Sequence, residues 1–189
     1  MSAAVVAFWT VAGVLLVTTV LGWLRLGSLR LASSIGLASD GLLPGTPVPE
    51  WSGVTSDGET WRSRGGVWHL LIFGDHSLQS FPSTLQALDE LLQRGGDLEI
   101  IVLCPNDPAL THYVLDAAGL GVLPSVAIDQ RTLRQFNVRV FPFAFIVDPD
   151  GLIGGSCLAY MSDALLSLVD RAHLLRKAGE AYPRALVAA

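Results

Sequence analysis

Thirty residues in the second half of the chain decide the fold: Val122-Leu-Pro-Ser-Val-Ala-Ile-Asp-Gln-Arg-Thr-Leu-Arg-Gln-Phe-Asn-Val-Arg-Val-Phe-Pro-Phe-Ala-Phe-Ile-Val-Asp-Pro-Asp-Gly151. Their pattern predicts a short strand over Ser125–Ile128, a short helix over Gln130–Phe136 and a buried strand over Phe143–Val147. The turn residues Asp148–Gly151 follow, so a last strand over Leu152–Ser156 is expected to pair back as a hairpin. This stretch therefore indicates a mixed α/β sheet that ends in antiparallel strands.

Strands and helices also alternate on both sides of this stretch. The turn Asp57-Gly58 predicts a hairpin between Trp51–Thr55 and Glu59–Arg62. The remaining predicted elements are a buried strand Trp68–Phe73, a helix Ser83–Gln93, a buried strand Leu98–Leu103, a helix Asp107–Ala118 and a last helix Ser162–Lys177. The inner face expected for the last helix carries Leu165, Leu166, Val169 and Leu174. Such alternation predicts an α/β domain whose sheet is covered on both faces.

The quoted stretch resembles the second half of a TlpA/ResA-like thioredoxin. It shares the short strand that ends in Asp129, the small helix with an aromatic residue before a valine, and the proline that opens the strand before the final turn. The segment Gly45–Trp51, followed by Asp57-Gly58, resembles the start of those proteins. An N-terminal anchor with a basic, Leu-rich neck is similar to the MauD-type accessory thioredoxins of methylamine dehydrogenase maturation. The resemblance covers about residues 44–175 and implies a thioredoxin-like fold.

The resemblance also implies a role for Phe141 and Pro142. Pro142 would be the cis-proline that faces the redox helix, since only an X–Pro bond adopts the cis form at modest cost. Phe141 would occupy the position that contacts the substrate in active relatives. An aromatic surface without a thiol suits binding better than thiol exchange.

The sequence departs from this family at the redox motif. Two cysteines at positions i and i+3 of a helix start would share one turn, and the helix N-terminus would lower the thiol pKa. In the segment after Phe73, the positions that best fit this pair are Leu78 and Phe81. Neither residue can carry out thiol chemistry, so the sequence predicts no catalytic residue at this position.

The two cysteines of the chain, Cys104 and Cys157, are the fallback thiols. The resemblance implies the strand order 98–103, 68–73, 143–147, 152–157, which places two strands between them. At about 4.8 Å per strand step the gap is roughly 14 Å, whereas a disulfide needs Cα atoms within about 7 Å. We expect no intramolecular disulfide and two small buried side chains.

The N-terminus predicts a membrane anchor. Residues Ala3 to Leu24 are almost wholly apolar and would form about 33 Å of helix, enough to span a hydrocarbon core. A cleaved signal peptide is the alternative, but no basic residue precedes the span.

The expected organisation is a transmembrane anchor over 1–25, a neck over 26–43, a thioredoxin-like domain over 44–178 and a tail over 179–189. Arg25 and Arg30 favour a cytoplasmic domain, whereas the resemblance favours an extracytoplasmic one, and we expect the latter.

Composition argues against several other functions. The net charge of −5 and the absence of a basic run argue against nucleic-acid binding. The four dispersed histidines show no metal-ligand spacing, so neither a metal nor another cofactor is expected. The triplet Asp75-His76-Ser77 is more typical of a polar turn than of a catalytic triad, whose members converge from different elements.

Three functional hypotheses remain. The first is a cell-membrane protein whose domain binds a partner protein, through Phe141, Pro142, Leu78 and Phe81, during assembly or maturation of that partner. The second is a thiol-disulfide oxidoreductase that uses Cys104 or Cys157 with a cysteine of a partner. The third is a structural membrane subunit in which this surface has no role. The sequence does not predict an oligomeric state.

Overall fold

The computed structural model describes residues 40–62, 65–95 and 97–181. Seven strands lie in one sheet: β1 (Ser52–Thr55), β2 (Thr60–Arg62), β3 (Trp68–Phe73), β4 (Leu98–Cys104), β5 (Ser125–Ala127), β6 (Phe143–Val147) and β7 (Ile153–Leu158). Four helices connect or follow them: α1 (Phe81–Arg94), α2 (Pro108–Ala117), α3 (Gln130–Gln135) and α4 (Ser162–Ala181).

The sheet has the order β2-β1-β5-β4-β3-β6-β7. Strands β3, β4 and β5 are parallel, because α1 and α2 return the chain to the same edge after each strand. Strand β6 is the antiparallel neighbour of β3, and β7 pairs antiparallel with β6 at the sheet edge. Strands β1 and β2 form an antiparallel hairpin beside β5. The predicted order of the four core strands, β4-β3-β6-β7, is confirmed.

Both faces of the sheet are buried, as the continuous apolar runs of β3, β4 and β6 predicted. One face packs Leu70, Ile72 and Val102 against helices α1 and α4. The other face carries an aromatic layer in which Phe136 contacts Phe73 and Phe145, with ring centroids 5.1 and 5.6 Å apart. Successive side chains of β3 therefore serve two separate cores.

One side chain of the last helix does not lie where the sequence analysis placed it. Leu174 is 68% exposed, whereas Leu165, Leu168 and Ala172 line the inner face of α4. Leu174 lies five positions after Val169, and at 100° per residue that spacing turns Leu174 away from the core.

Among the described residues, no helix is both long and apolar enough to cross a membrane. The predicted span over residues 3–24 lies outside the described part of the chain.

Candidate functional site

The candidate site is built from the loop of residues 74–80, between the end of β3 and the start of α1. The backbone N–H of Gly74 donates to the carbonyl of Leu103 at 2.9 Å, which ties the loop to β4. Two turns follow: Leu78 N–H donates to the Asp75 carbonyl, and Phe81 N–H donates to the Leu78 carbonyl, each at 3.1 Å. The loop therefore holds a defined conformation at the carboxyl edge of the parallel strands.

Phe81 is not part of the loop surface. Its side chain is only 1% exposed and belongs to the core beneath α1. A Cβ on Gly74 would meet the Phe81 ring at 2.7 Å, so this glycine leaves the space that the ring occupies. The expectation that Phe81 contributes to an exposed binding surface is wrong, because helix α1 begins at this residue and points its side chain inward. Leu78, the other predicted position, is 38% exposed.

Ser77 and Ser80 lie three positions apart in the segment that leads into helix α1. Ser80 is the N-cap residue of α1, and its side chain makes no capping hydrogen bond. Ser77 is exposed. The segment before α1 therefore presents two hydroxyls and no thiol.

Phe141 and Pro142 lie beside this loop. The Phe141–Pro142 peptide bond is cis, as the resemblance implied. Phe73 at the end of β3 pairs with Phe143 at the start of β6, and this register places Pro142 next to the segment that follows Phe73. Pro142 is buried, whereas Phe141 is half-buried and its side chain remains partly accessible.

Three further apolar side chains surround this edge of the sheet. The Ala159 N–H donates to the Pro142 carbonyl at 3.0 Å, which places the turn of residues 159–161 against the proline. In this turn Tyr160 is 40% and Met161 49% exposed, and Val140, just before Phe141, is 38% exposed. We call Leu78, Val140, Phe141, Tyr160 and Met161 the apolar rim. The sequence analysis missed Val140, Tyr160 and Met161, because their exposure depends on turns that join distant segments.

The polar residues of the loop do not form a catalytic triad. The Ser77 hydroxyl donates to Asp75 Oδ1 at 2.6 Å, and the Ser77 N–H donates to the same oxygen at 2.9 Å. His76 bonds instead through Nδ1 to Thr111 Oγ1 of α2, at 3.2 Å. Partial burial raises the pKa of Asp75, but the two hydrogen bonds from Ser77 outweigh it and the pKa falls below its usual value. The triplet closes a polar turn and links it to α2.

Neither cysteine carries the thiolate that thiol exchange needs, although only Cys104 is buried and Cys157 is half-buried. Cys104 and Cys157 form no disulfide, and the strands β3 and β6 separate them in the sheet. Cys104 is completely buried, and its Sγ lies 3.5 Å from the Val126 carbonyl oxygen. Burial raises the pKa of Cys104, and it raises the pKa of Cys157 to about 12. Both residues are neutral thiols at physiological pH, which makes them poor nucleophiles.

No metal centre accompanies the loop. Within residues 40–62, 65–95 and 97–181, no group of three or more His, Cys, Asp or Glu side chains could hold an ion.

Comparison with solved structures identifies the architecture. The chain superimposes on a candidate protein disulfide isomerase from Bacteroides thetaiotaomicron with a TM-score of 0.62 and 17% identity, covering 76% of this chain and 98% of that one. The chain has a thioredoxin-like fold. The thioredoxin domain of a thiol-disulfide oxidoreductase from Bacteroides vulgatus gives a TM-score of 0.52 and 15% identity, over 68% of this chain and 99% of that one.

A peroxiredoxin-like protein from Aquifex aeolicus is a further neighbour, with a TM-score of 0.57 and 12% identity over 69% of this chain and 88% of that one. No protein-family model and no curated protein matches the sequence. At these identities the likeness concerns the fold, so the activity has to be argued from the residues of the site.

Proposed function

We propose that this chain is a membrane-tethered accessory protein whose thioredoxin-like domain binds a partner protein at the apolar rim. The observation that carries the proposal is the chemistry of the side chains at the site, which is apolar and hydroxylic and includes no thiol. The loop holds hydroxyls at Ser77 and Ser80, and accessible apolar side chains at Leu78 and Phe141 surround it. Of the two thiols, Cys104 is buried and Cys157 is half-buried. A surface of this kind favours binding over thiol exchange.

The tether and its side of the membrane belong to the proposal. The apolar stretch of residues 3–24 has the length of a membrane span. The resemblance to anchored accessory thioredoxins supports an extracytoplasmic domain and a role in the assembly or maturation of the partner. Tethering would raise the effective concentration of the domain near a partner in the same membrane.

The thiol-oxidoreductase alternative is disfavoured by the complete burial of Cys104 and by the raised pKa of the half-buried Cys157. An attacking cysteine needs both exposure and a thiolate fraction, and burial lowers both. A purely structural subunit is the remaining alternative, and it predicts that the apolar rim contacts nothing.

Site-specific photo-crosslinking in the native membrane tests the proposal. A photoreactive phenylalanine analogue is placed at Phe141 or Leu78, and at Val122 as the control. Val122 is 78% exposed and lies three residues before the first residue of β5, on the side of the sheet opposite the site. The proposal predicts a defined adduct from positions 141 and 78 and none from position 122. Absence of adducts at all three positions, or equal adducts at all three, would overturn it.

A further inference from the structure

One short segment of the domain carries several basic residues and no acidic one. The chain has 17 acidic residues, and none of them lies between Asp129 and Asp148. Three of its 12 basic residues, Arg131, Arg134 and Arg139, lie in that interval. A protein with a net charge of −5 therefore carries a segment of purely positive charge, which we call the arginine segment (residues 131–139).

The structure directs all three arginines outward. Leu133, Phe136 and Val138 are buried with exposed fractions of 6% or less, whereas the three arginines are exposed. Burial and exposure alternate in this way because one face of α3 and the following turn packs on the aromatic layer. The guanidinium groups consequently share the solvent side of the segment.

The backbone of the arginine segment is held from both ends. Asp129 caps α3, accepting hydrogen bonds from the Thr132 N–H at 2.7 Å and from its hydroxyl at 2.8 Å. After the helix, Asn137 adopts a left-handed conformation with φ 53°. The Gly41 N–H donates to the Asn137 carbonyl at 2.9 Å, and Asn137 Nδ2 donates to the Gly41 carbonyl at 3.3 Å. A segment fixed in this way loses little conformational freedom when it binds.

The arginine segment runs directly into the apolar rim. Arg139 precedes Val140 and Phe141 in the chain, and both of these side chains are accessible. A ligand that contacts Phe141 therefore meets positive charge on the side of α3. Guanidinium groups bind carboxylates through paired, directional hydrogen bonds, which gives such a surface a preferred ligand chemistry.

We propose that the arginine segment and the neighbouring Val140 and Phe141 form a docking surface for an acidic polypeptide segment of the partner, in which Asp or Glu residues accompany apolar side chains. This inference rests on the proposed function and specifies the chemistry of the partner. Charge complementarity selects the occupant, because the rest of the domain is acidic and would repel such a segment. Three arginines fall short of the clusters of four to eight basic residues typical of anionic-lipid surfaces.

Peptide binding to the full chain tests the inference. The chain is placed in phosphatidylcholine nanodiscs, and the probe is a fluorescein-labelled peptide in which Glu and Asp alternate with Leu and Phe. A second peptide carries Gln and Asn in place of Glu and Asp. Fluorescence anisotropy is recorded at low and high salt, with empty nanodiscs as the blank.

Two triple variants with the same change in net charge separate the surface from general electrostatics. The test variant carries R131Q, R134Q and R139Q. The control variant carries R62Q, R94Q and R171Q, which lie in β2, α1 and α4 and are also exposed. Arg94 contacts Asp170 only at 4.0 Å, and exposed pairs of this kind add little stability, so the control is expected to fold.

We expect the acidic peptide to bind the unmodified chain about tenfold more tightly than the neutral peptide, with an affinity that falls as salt rises. The test variant should lose that advantage, and the control variant should keep it within about twofold. Equal losses in both variants, or no loss in either, would overturn the inference. Loss of binding to vesicles of phosphatidylcholine and phosphatidylglycerol in the test variant, with peptide binding unchanged, would overturn it in favour of a lipid surface.

Photo-crosslinking at Phe141 distinguishes this inference from the proposed function. If the adduct forms in the test variant as in the unmodified chain, a partner binds and the arginine segment is not its docking surface. If no adduct forms in the unmodified chain, the proposed function itself fails.

Discussion

Cys157 illustrates at the scale of one residue how burial determines chemistry. Its side chain packs against the core beneath α4, and removal from water disfavours the charged thiolate. With a pKa of about 12, only about one Cys157 side chain in 10⁵ is ionised at pH 7. Cys104 experiences the same effect with no exposed surface at all. The two sulfur atoms therefore behave as small apolar groups.

The raised thiol pKa values predict a loss of stability at alkaline pH. Below pH 9 both the folded and the unfolded chains hold neutral thiols, so burial contributes no pH dependence. Above pH 9 the unfolded chain releases these protons while Cys157 holds its proton until about pH 12, so the free energy of unfolding falls as pH rises. Urea denaturation between pH 8 and 10 should show this decline, with a shallower slope in C157A. One thiol can contribute at most about 1.4 kcal/mol per pH unit. Identical slopes in the two proteins would contradict the assigned pKa.

The different environments of the pairs Leu78/Phe81 and Ser77/Ser80 yield a prediction about engineered cysteines. Replacing Ser77 and Ser80 by cysteine should change the free energy of unfolding by less than about 1 kcal/mol, because Ser77 is exposed and Ser80 makes no capping bond. Replacing Leu78 and Phe81 should cost about 3 kcal/mol or more, because Phe81 is a buried core residue.

Denaturation of the two double-cysteine variants with their thiols reduced measures this difference, and a thiol reagent measures exposure. The new cysteine at position 77 should react rapidly in the folded protein, and the new cysteine at position 81 only after unfolding. Equal destabilisation by the two pairs would contradict the placement of the helix start.

At the scale of single elements, the helix starts differ in how they are capped. Helix α2 begins with Asp107 as N-cap and Pro108 as its first residue, and Asp107 Oδ1 accepts a hydrogen bond from the Ala109 N–H at 2.9 Å. Helix α1 begins at Phe81 after the N-cap residue Ser80, whose side chain makes no capping bond. The Asp-Pro pair predicted the start of α2 correctly, since cap residues and proline carry positional information. Helix α1 has comparable residues in Ser80 and Pro82, so its predicted start at Ser83 was two residues late.

The cap of α2 should contribute measurably to stability. D107A is expected to lower the free energy of unfolding by about 1 kcal/mol, because it leaves a backbone donor of the first turn without its partner. D107N should be nearly neutral, since asparagine caps helices about as well as aspartate does. Chemical denaturation of the three proteins provides the comparison. A loss in D107N as large as that in D107A would show that the charge, not the cap, carries the effect.

At the scale of the whole molecule, the order of the core strands and their two-sided burial could be predicted from sequence. Continuous apolar runs such as Leu70–Phe73 require cover on both faces, whereas the strand order followed from the resemblance of the stretch 122–151 to thioredoxin-like proteins. The composition of the site could be predicted only in part. Phe141 and Pro142 lie in the recognisable stretch, whereas Tyr160 and Met161 reach the site through a backbone hydrogen bond across the sheet end. Local sequence patterns do not show which residues meet across the sheet when they are far apart in the chain, as Pro142 and Ala159 are.

Phe136 and Phe141 differ in burial, and we expect them to differ in their contribution to stability. F136A should lower the free energy of unfolding by about 3–5 kcal/mol, because Phe136 is fully buried between Trp51, Phe73 and Phe145. F141A should cost clearly less, because its side chain is partly accessible at the apolar rim. Denaturation curves of the two variants measure the difference. A loss in F141A as large as that in F136A would make Phe141 a core residue and would remove it from the binding surface.

The measurement that tests the central claim most directly is the thiol state of the chain in its native membrane. Membranes are treated rapidly with an alkylating agent, and mass spectrometry then determines the modification of Cys104 and Cys157 after denaturation. The proposed binding role predicts that both residues are found as free thiols, even after an oxidising challenge, because Cys104 is buried and the raised pKa of both residues keeps their thiols neutral. A mixed disulfide between either cysteine and another protein would contradict it and would make the domain a thiol enzyme of unusual design.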